Sequence, residues 1–214
     1  MVYQDRRAAG KALAHTIAAH PDLGPSIVLA LPRGGVPVAF EIAQALNLPL
    51  DVLVARKLGT PGQPELAMGA VTSDGTVFLN REILGELRIR DDILQTVTRR
   101  ETQHAQQQEN LYRAGRPRLD LKGSTVLLVD DGLATGATMR AAVSSLRPHA
   151  HHVLVAVPVG AIEACDDLAS EADLVICPWT PVPFGAVGNY YRNFAPTTDA
   201  EVRALLDEAQ QRAS

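Results

Sequence analysis

Aromatic side chains are scarce in this chain: one Trp, four Tyr and four Phe in 214 residues. Five of them, Trp179, Phe184, Tyr190, Tyr191 and Phe194, crowd together near the C-terminus. The remaining interior must therefore be built from aliphatic side chains. Cysteine is scarcer still. Cys165 and Cys177 are the only two, which excludes a disulfide framework and the paired spacing of a zinc site. No apolar run approaches the ~20 residues of a membrane-spanning helix. The opening MVYQDRRAAGK lacks the apolar stretch of a signal peptide, so the expected location is a reducing cytoplasm, with no membrane partner. Neither sign of charge dominates: the net charge is -4 and the pI about 5.8. That argues against broad electrostatic binding to nucleic acid. Hydrophobic residues make up 46%, enough to exclude disorder as the main state.

Short apolar runs alternate with helical periodicities. Residues 5–20 read as a helix ended by Pro21, 26–31 as a buried strand, and 36–46 as a helix with Pro37 tolerated in its first turn. Residues 51–55 read as a second strand, followed by a loop over 56–64. Residues 66–71 and 76–79 flank Ser73-Asp74-Gly75 as a hairpin. Segment 81–114 is polar and reads as one or two helices projecting from the body. Strands are then expected at 125–129, 153–157 and 174–177. Helices are expected at 136–146, 161–170 and 198–211, the last capped by Thr198 with Glu201 three residues on. Fully apolar strands alternating with helices imply a mainly parallel sheet covered on both faces, an α/β fold of three α/β/α layers. The expectation is a single domain over 1–214.

The strongest signal is VLLVDDGLATGAT, residues 126–138. A buried strand ends on Asp130 and Asp131, at the sheet edge where ligands bind in parallel α/β folds. Ala134, Thr135, Gly136, Ala137 and Thr138 follow as a small-residue loop opening a helix. Small residues let backbone N–H groups approach a phosphate, the threonines add hydroxyls, and the helix start adds partial positive charge. Two adjacent carboxylates beside such a cradle suit a diol, such as ribose O2′ and O3′, or Mg2+. Neither the GxxxxGK[ST] nor the GxGxxG pattern is present.

These thirteen residues resemble the type I phosphoribosyltransferases, whose hallmark is a hydrophobic strand, two acids and a phosphate loop. The resemblance implies that Asp130 and Asp131 contact the ribose of phosphoribosyl pyrophosphate (PRPP). It places the 5-phosphate on residues 134–138. Pro32-Arg33-Gly34-Gly35 looks like the family's pyrophosphate loop, where a strained, sometimes cis, non-proline peptide is typical. Arg56-Lys57 matches the basic pair that the family carries before its mobile catalytic loop, here Leu58–Pro64. Asp131, Lys57 and Glu65 are the catalytic candidates, Glu65 as the group exchanging a proton with the incoming nucleophile. Mg2+ is the implied cofactor, carried mainly by PRPP with Asp130 and Asp131 nearby. Ala134 stands where hypoxanthine-guanine enzymes have an aspartate near the purine N7, which disfavours a 6-oxopurine mechanism. The wider pattern, LPRGGVPVA, ARKLG, ELAMGAV, LYRAGRP and VGNYYRNF, looks most like a bacterial group of phosphoribosyltransferase-like proteins with no established acceptor.

The acceptor side is expected in a small hood over residues 177–194. There Phe184, Tyr190 and Tyr191 are candidates to stack on a planar base. His149, His151 and His152 read as surface residues rather than a metal cluster. The arginines of 99–118 are interspersed with acids, and read as a solvated helix face or a contact between copies, with a homo-oligomer, a dimer, expected. The implied activity is transfer of 5-phosphoribosyl from PRPP to a small nitrogenous acceptor. The alternative is a PRPP- or nucleotide-sensing regulator with little or no transferase activity.

Overall fold

The computed structural model of the chain describes residues 2–19, 24 and 26–213, apart from the side chains of Pro64, Glu65 and Ala213. Helix α1 (Arg6–Ala18) begins where the Asp5 carboxylate accepts the Ala8 N–H at 2.8 Å, filling one of the orphan donors of a helix start. It stops at Ala18; the expected terminator, Pro21, lies outside the described residues.

Strand β1 (Ile27–Ala30), helix α2 (Gly35–Leu46) and strand β2 (Leu50–Val52) come next. The other strands of the central sheet are β6 (Thr125–Val129), β7 (His152–Ala156) and β8 (Leu174–Ile176). All pairs are parallel, in the order β2-β1-β6-β7-β8. Apolar strands without polar alternation are what two covered faces require. Ile27, Leu29, Val126 and Leu128 pack with Met139 and Leu146 of α5 (Ala137–Leu146) and Leu168 of α6 (Ile162–Ala169). Val28, Ala30, Leu127 and Val129 face the opposite side. They pack there with Leu13, Phe40 and the Val202 and Leu206 side chains of α7 (Asp199–Ala213). This is the expected α/β/α sandwich. Thr198 caps α7 through its Oγ1, which accepts the Glu201 N–H at 3.1 Å. Among the described residues, no helix is long and apolar enough to cross a membrane.

Between β2 and β6 the chain builds a second layer that the sequence pattern hides. The strand expected over 51–55 is two strands. β2 ends at Val52, and β3 (Ala55–Thr60) belongs to a separate antiparallel sheet with β4 (Gln63–Thr72) and β5 (Val77–Leu79). The expected loop over 56–64 is therefore mostly hairpin. Its tip is Pro61-Gly62, with Gly62 at φ +80° and Thr60 Oγ1 donating to the Gln63 carbonyl at 2.8 Å. Proline followed by a positive-φ glycine is the signature of a type II turn. The hairpin about 73–75 forms as expected, closed by Gly75 N–H to Thr72 O at 2.9 Å.

Segment 81–114 contains α3 (Arg81–Glu86) and α4 (Asp91–Arg113). It does not project. Ile83, Leu84, Leu94 and Val97 pack on Leu58, Met68 and Val71 of the small sheet. Further along α4, Glu101, Ala105, Glu109 and Tyr112 form a buried stripe at helical spacing. Two of those four are glutamates, which is why the pattern reads as solvated. Glu109 is satisfied: Arg113 Nε and Arg118 Nε and Nη2 each donate to it at 2.7 Å. Arg113 also pairs with Asp51. Buried charge is tolerated when paired and hydrogen-bonded. These arginines therefore clamp α4 to the core rather than offer a basic face.

Candidate functional site

The chain leaves β1 toward β2 on one side and β6 toward β7 on the other. The crevice between β1 and β6 is therefore a topological switch point, where open α/β sheets bind ligands at the strand ends. Loop 32–34 leads from β1 to α2, and loop 130–136 from β6 to α5. Neither helix start has a side-chain cap, since Gly34 and Gly136 occupy the cap positions. Gly136 sits at φ +75°, a conformation glycine adopts without penalty. Ala134 and Thr135 are exposed, and Ala137 and Thr138 partly so. Two helix N-termini without side-chain caps thus face one crevice, although at α2 the Gly35 and Val36 N–H groups already donate to the Leu31 and Arg33 carbonyls at 3.0 and 3.2 Å.

The two loops touch. A Cβ on Gly34 would lie 2.0 Å from Asp131 Oδ2, and one on Gly35 would lie 2.6 Å from the Val129 carbonyl oxygen. Only glycine permits this approach. The Pro32–Arg33 peptide is cis, as the resemblance implied. Asp130 Oδ1 accepts the Asp131 N–H at 2.8 Å. Burial, then the neighbouring Asp131 charge, pushes the Asp130 carboxyl well above the usual range. Burial also raises Asp131, against the opposing pull of Arg6.

Arg6 was not legible as a site residue. It comes from the first turn of α1, donates through Nε to Asp131 Oδ2 at 2.7 Å, and through Nη1 to the Ala195 carbonyl at 2.8 Å. Its guanidinium lies 3.8 Å from the Phe194 ring centroid. Tyr191 adds a second hold, its hydroxyl donating to the Asp131 carbonyl at 2.5 Å. Burial raises the Tyr191 phenol, so it remains a donor. No local sequence signal pairs residue 6 with residue 131.

Across the crevice, Pro32, Arg33, Ala55, Arg56, Lys57, Gln108 and Thr138 line an open pocket of about 440 Å³. The structure thus brings together the three basic residues singled out in the sequence, beside Thr138 at the start of α5. Arg33 stands 3.7 Å from Asp199, and Arg56 donates to Glu101 at 2.8 Å. Lys57 is exposed and has no ion-pair partner among the described residues. Glu65 is a backbone position of β4; its side chain lies outside the described residues.

The hood is a compact aromatic cluster. Tyr190 and Tyr191 are buried with Tyr3 and Val159, against Trp179, Phe184, Val187 and Phe194. Tyr190 stacks on Phe184 at 5.2 Å and meets Trp179 edge-on at 4.8 Å. Rings covered in this way have no face for a base, so the expectation for Tyr190 and Tyr191 is corrected: they build the hood. Phe184, partly exposed, retains ring surface. The hood meets the acid pair at Gly132, where a Cβ would lie 2.5 Å from Val187 Cγ1. His149, His151 and His152 are exposed as expected. Among the described residues, no group of three or more His, Cys, Asp or Glu could hold a metal ion.

The profile of the family described as "Phosphoribosyl transferase domain" matches residues 3–163. The chain belongs to this family. It is also 42% identical to TT1426 from Thermus thermophilus, whose crystal structure it matches with a TM-score of 0.81 over 97% of this chain and 99% of that one. Among curated proteins, it is 45% identical over 211 residues to "Putative phosphoribosyl transferase Rv0571c" of Mycobacterium tuberculosis strain H37Rv. That match covers 98% of this chain and 47% of the relative. A protein of the same description from strain CDC 1551, MT0597, matches over the same shares. The chain spans about half the length of these curated relatives.

Proposed function

We propose that the chain is a Mg2+-dependent phosphoribosyltransferase, transferring 5-phosphoribosyl from PRPP to a nitrogenous acceptor with release of pyrophosphate. The observation that carries this reading is the crevice itself. Two uncapped helix starts open on it, with the acid pair on one loop and the three-cation pocket beside the other. A diol flanked by two phosphate groups at different distances matches that order of donors and acceptors.

In this reading the ribose hydroxyls donate to Asp130 and Asp131, and the 5-phosphate accepts from N–H and hydroxyl groups of residues 134–138. The pyrophosphate lies over Gly34 and Gly35, toward Arg33, Arg56 and Lys57. The C1–O bond breaks, its electron pair leaving on the pyrophosphate oxygen. A nitrogen lone pair of the acceptor forms the new bond to C1, and the acceptor's proton goes to solvent or a nearby base. The cations stabilise charge as it develops on the leaving group, and the pocket holds the reactants in place. The donor set fits Mg2+ arriving on the substrate: the protein offers two carboxylates, one of them committed to Arg6, and Mg2+ favours such sparse protein ligation with phosphate oxygens and water. When bound, it would neutralise pyrophosphate charge. Of the three candidate rings, Phe184 is the one that keeps partly exposed surface for a planar acceptor.

The test is calorimetry with PRPP and Mg2+, followed by a pyrophosphate-release screen against purines, pyrimidines and amines. Asp130→Asn with Asp131→Asn should abolish PRPP binding; unchanged affinity refutes the ribose assignment. Tight PRPP binding with no release for any acceptor favours the sensing regulator instead.

A further inference from the structure

A continuous chain of side chains joins the two arginines of the pocket from behind. Glu101 accepts Arg56 Nε at 2.8 Å, and Arg56 Nη1 donates to Gln108 Oε1 at 3.5 Å. Gln108 Nε2 donates to the Tyr112 hydroxyl at 2.7 Å, and that hydroxyl donates to Asp199 Oδ1 at 2.6 Å. Asp199, in the first turn of α7, stands 3.7 Å from Arg33. The Tyr112 ring is fully buried. Resting on the phosphoribosyltransferase reading, we propose that Gln108, Tyr112 and Asp199, with Glu101, are positioning residues that set the spacing and direction of Arg33 and Arg56 for the pyrophosphate group of PRPP.

Three observations support it. An exposed ion pair such as Arg33–Asp199 contributes little alone, because two mobile side chains must be ordered to make it. Here the acid is already ordered by a phenol whose ring cannot move, so less freedom is lost. Burial, followed by the Asp199 hydrogen bond, pushes Tyr112 up to about 12, so the phenol keeps its proton across the working range and remains a donor. The network also ends on a pocket arginine at both ends, and Gln108 lines that pocket. A need to satisfy one buried hydroxyl would account for the Tyr112–Asp199 contact but not for the rest of the path. The helix α4 is thereby the back wall of the pyrophosphate pocket rather than an accessory.

Tyr112→Phe separates this role from folding, because it removes one oxygen and no charge. The full chain is titrated with PRPP and with ribose 5-phosphate, each with Mg2+. Ribose 5-phosphate lacks the pyrophosphate and engages only the 130–138 side of the crevice. The expected result is about tenfold weaker PRPP binding, a change of about 1.4 kcal/mol, with ribose 5-phosphate binding unchanged. Gln108→Ala, at a partly exposed position, should weaken PRPP in the same direction and guards against a folding defect in the first variant. Arg90→Ala, at the exposed start of α4, should change neither ligand. Wild-type PRPP affinity in both Tyr112→Phe and Gln108→Ala overturns the inference. Equal weakening of both ligands overturns it too, since that is a general structural defect. If the wild-type chain binds neither ligand, the reading of the site falls and the inference with it.

Discussion

The Arg6–Asp131 pair offers the sharpest energetic test. It joins the first turn of α1 to the acid pair across 125 residues, at 2.7 Å, with side chains only 11% and 14% exposed. Removing one partner of a buried pair costs about 3–5 kcal/mol, because the other charge is left uncompensated. Arg6 additionally supports the Ala195 carbonyl and the Phe194 face, and a cation over a ring adds roughly 0.5–2 kcal/mol. Some solvent reaches the pair, so the low end applies: Arg6→Met should cost about 3 kcal/mol. In a domain of this length that lowers Tm by roughly 6–12 °C. Asp131→Asn should cost less, about 2 kcal/mol, because the amide oxygen still accepts from Arg6 and the neighbouring Asp130 still offers that guanidinium a carboxyl group, although the ion pair itself is lost. Both changes break the same ion pair, so the double variant should be less destabilised than the sum by about 1–2 kcal/mol. Urea denaturation of the four proteins measures every corner of this cycle. Additivity within about 0.5 kcal/mol would mean that the pair contributes nothing beyond its separate members, and the account of Arg6 as the holder of Asp131 would be wrong.

Gly35→Ala should destabilise by about 1–3 kcal/mol and weaken PRPP, because its Cβ meets the backbone oxygen of Val129 at 2.6 Å. Gly10→Ala, which meets the Val38 oxygen at 2.5 Å between α1 and α2, should destabilise by a comparable amount while leaving PRPP affinity intact; calorimetry on both variants tells the site effect from the packing effect. Asp130→Asn should raise Tm at pH 7 in the ligand-free chain. The folded carboxyl is pushed up by burial and by Asp131, so its ionised form opposes folding above the unfolded value of about 3.9. The gain should vanish as pH falls below that value, where both states carry the proton; a Tm gain that persists there would refute the cause.

The parallel core was legible because its strands are continuous apolar runs, and the loop after β6 stood out because acids, small residues and threonines come together over thirteen positions. What escaped was set by distant pairing. Residues 56–64 read as a loop, and nothing local says that residues 55–60 leave the main sheet to pair with 63–72. Helix α4 looked solvated because its buried face carries Glu101 and Glu109, whose partners Arg56 and Arg118 lie on other segments. The late aromatic cluster was recognised, but not its direction: Tyr191 turns inward to the Asp131 carbonyl rather than outward to an acceptor.

The ion pairs around the crevice differ in burial, and that difference orders their roles. Arg6 and Asp131 are mostly covered, so their separation would leave a buried charge at high cost, and the pair behaves as a fixed strut. Arg33 and Asp199 are 49% and 45% exposed and 3.7 Å apart, a contact worth no more than about 1 kcal/mol. A guanidinium has five donors. Asp199 occupies one edge of Arg33 loosely and leaves others for an incoming phosphate, so the ligand need not break a strong contact to be bound. Lys57, exposed and without a carboxylate partner among the described residues, needs no exchange at all. A polyanion would therefore meet one cation ready, one weakly held and a third, Arg56, held more firmly by Glu101 at 2.8 Å, while the strut behind Asp131 keeps the acid pair in place.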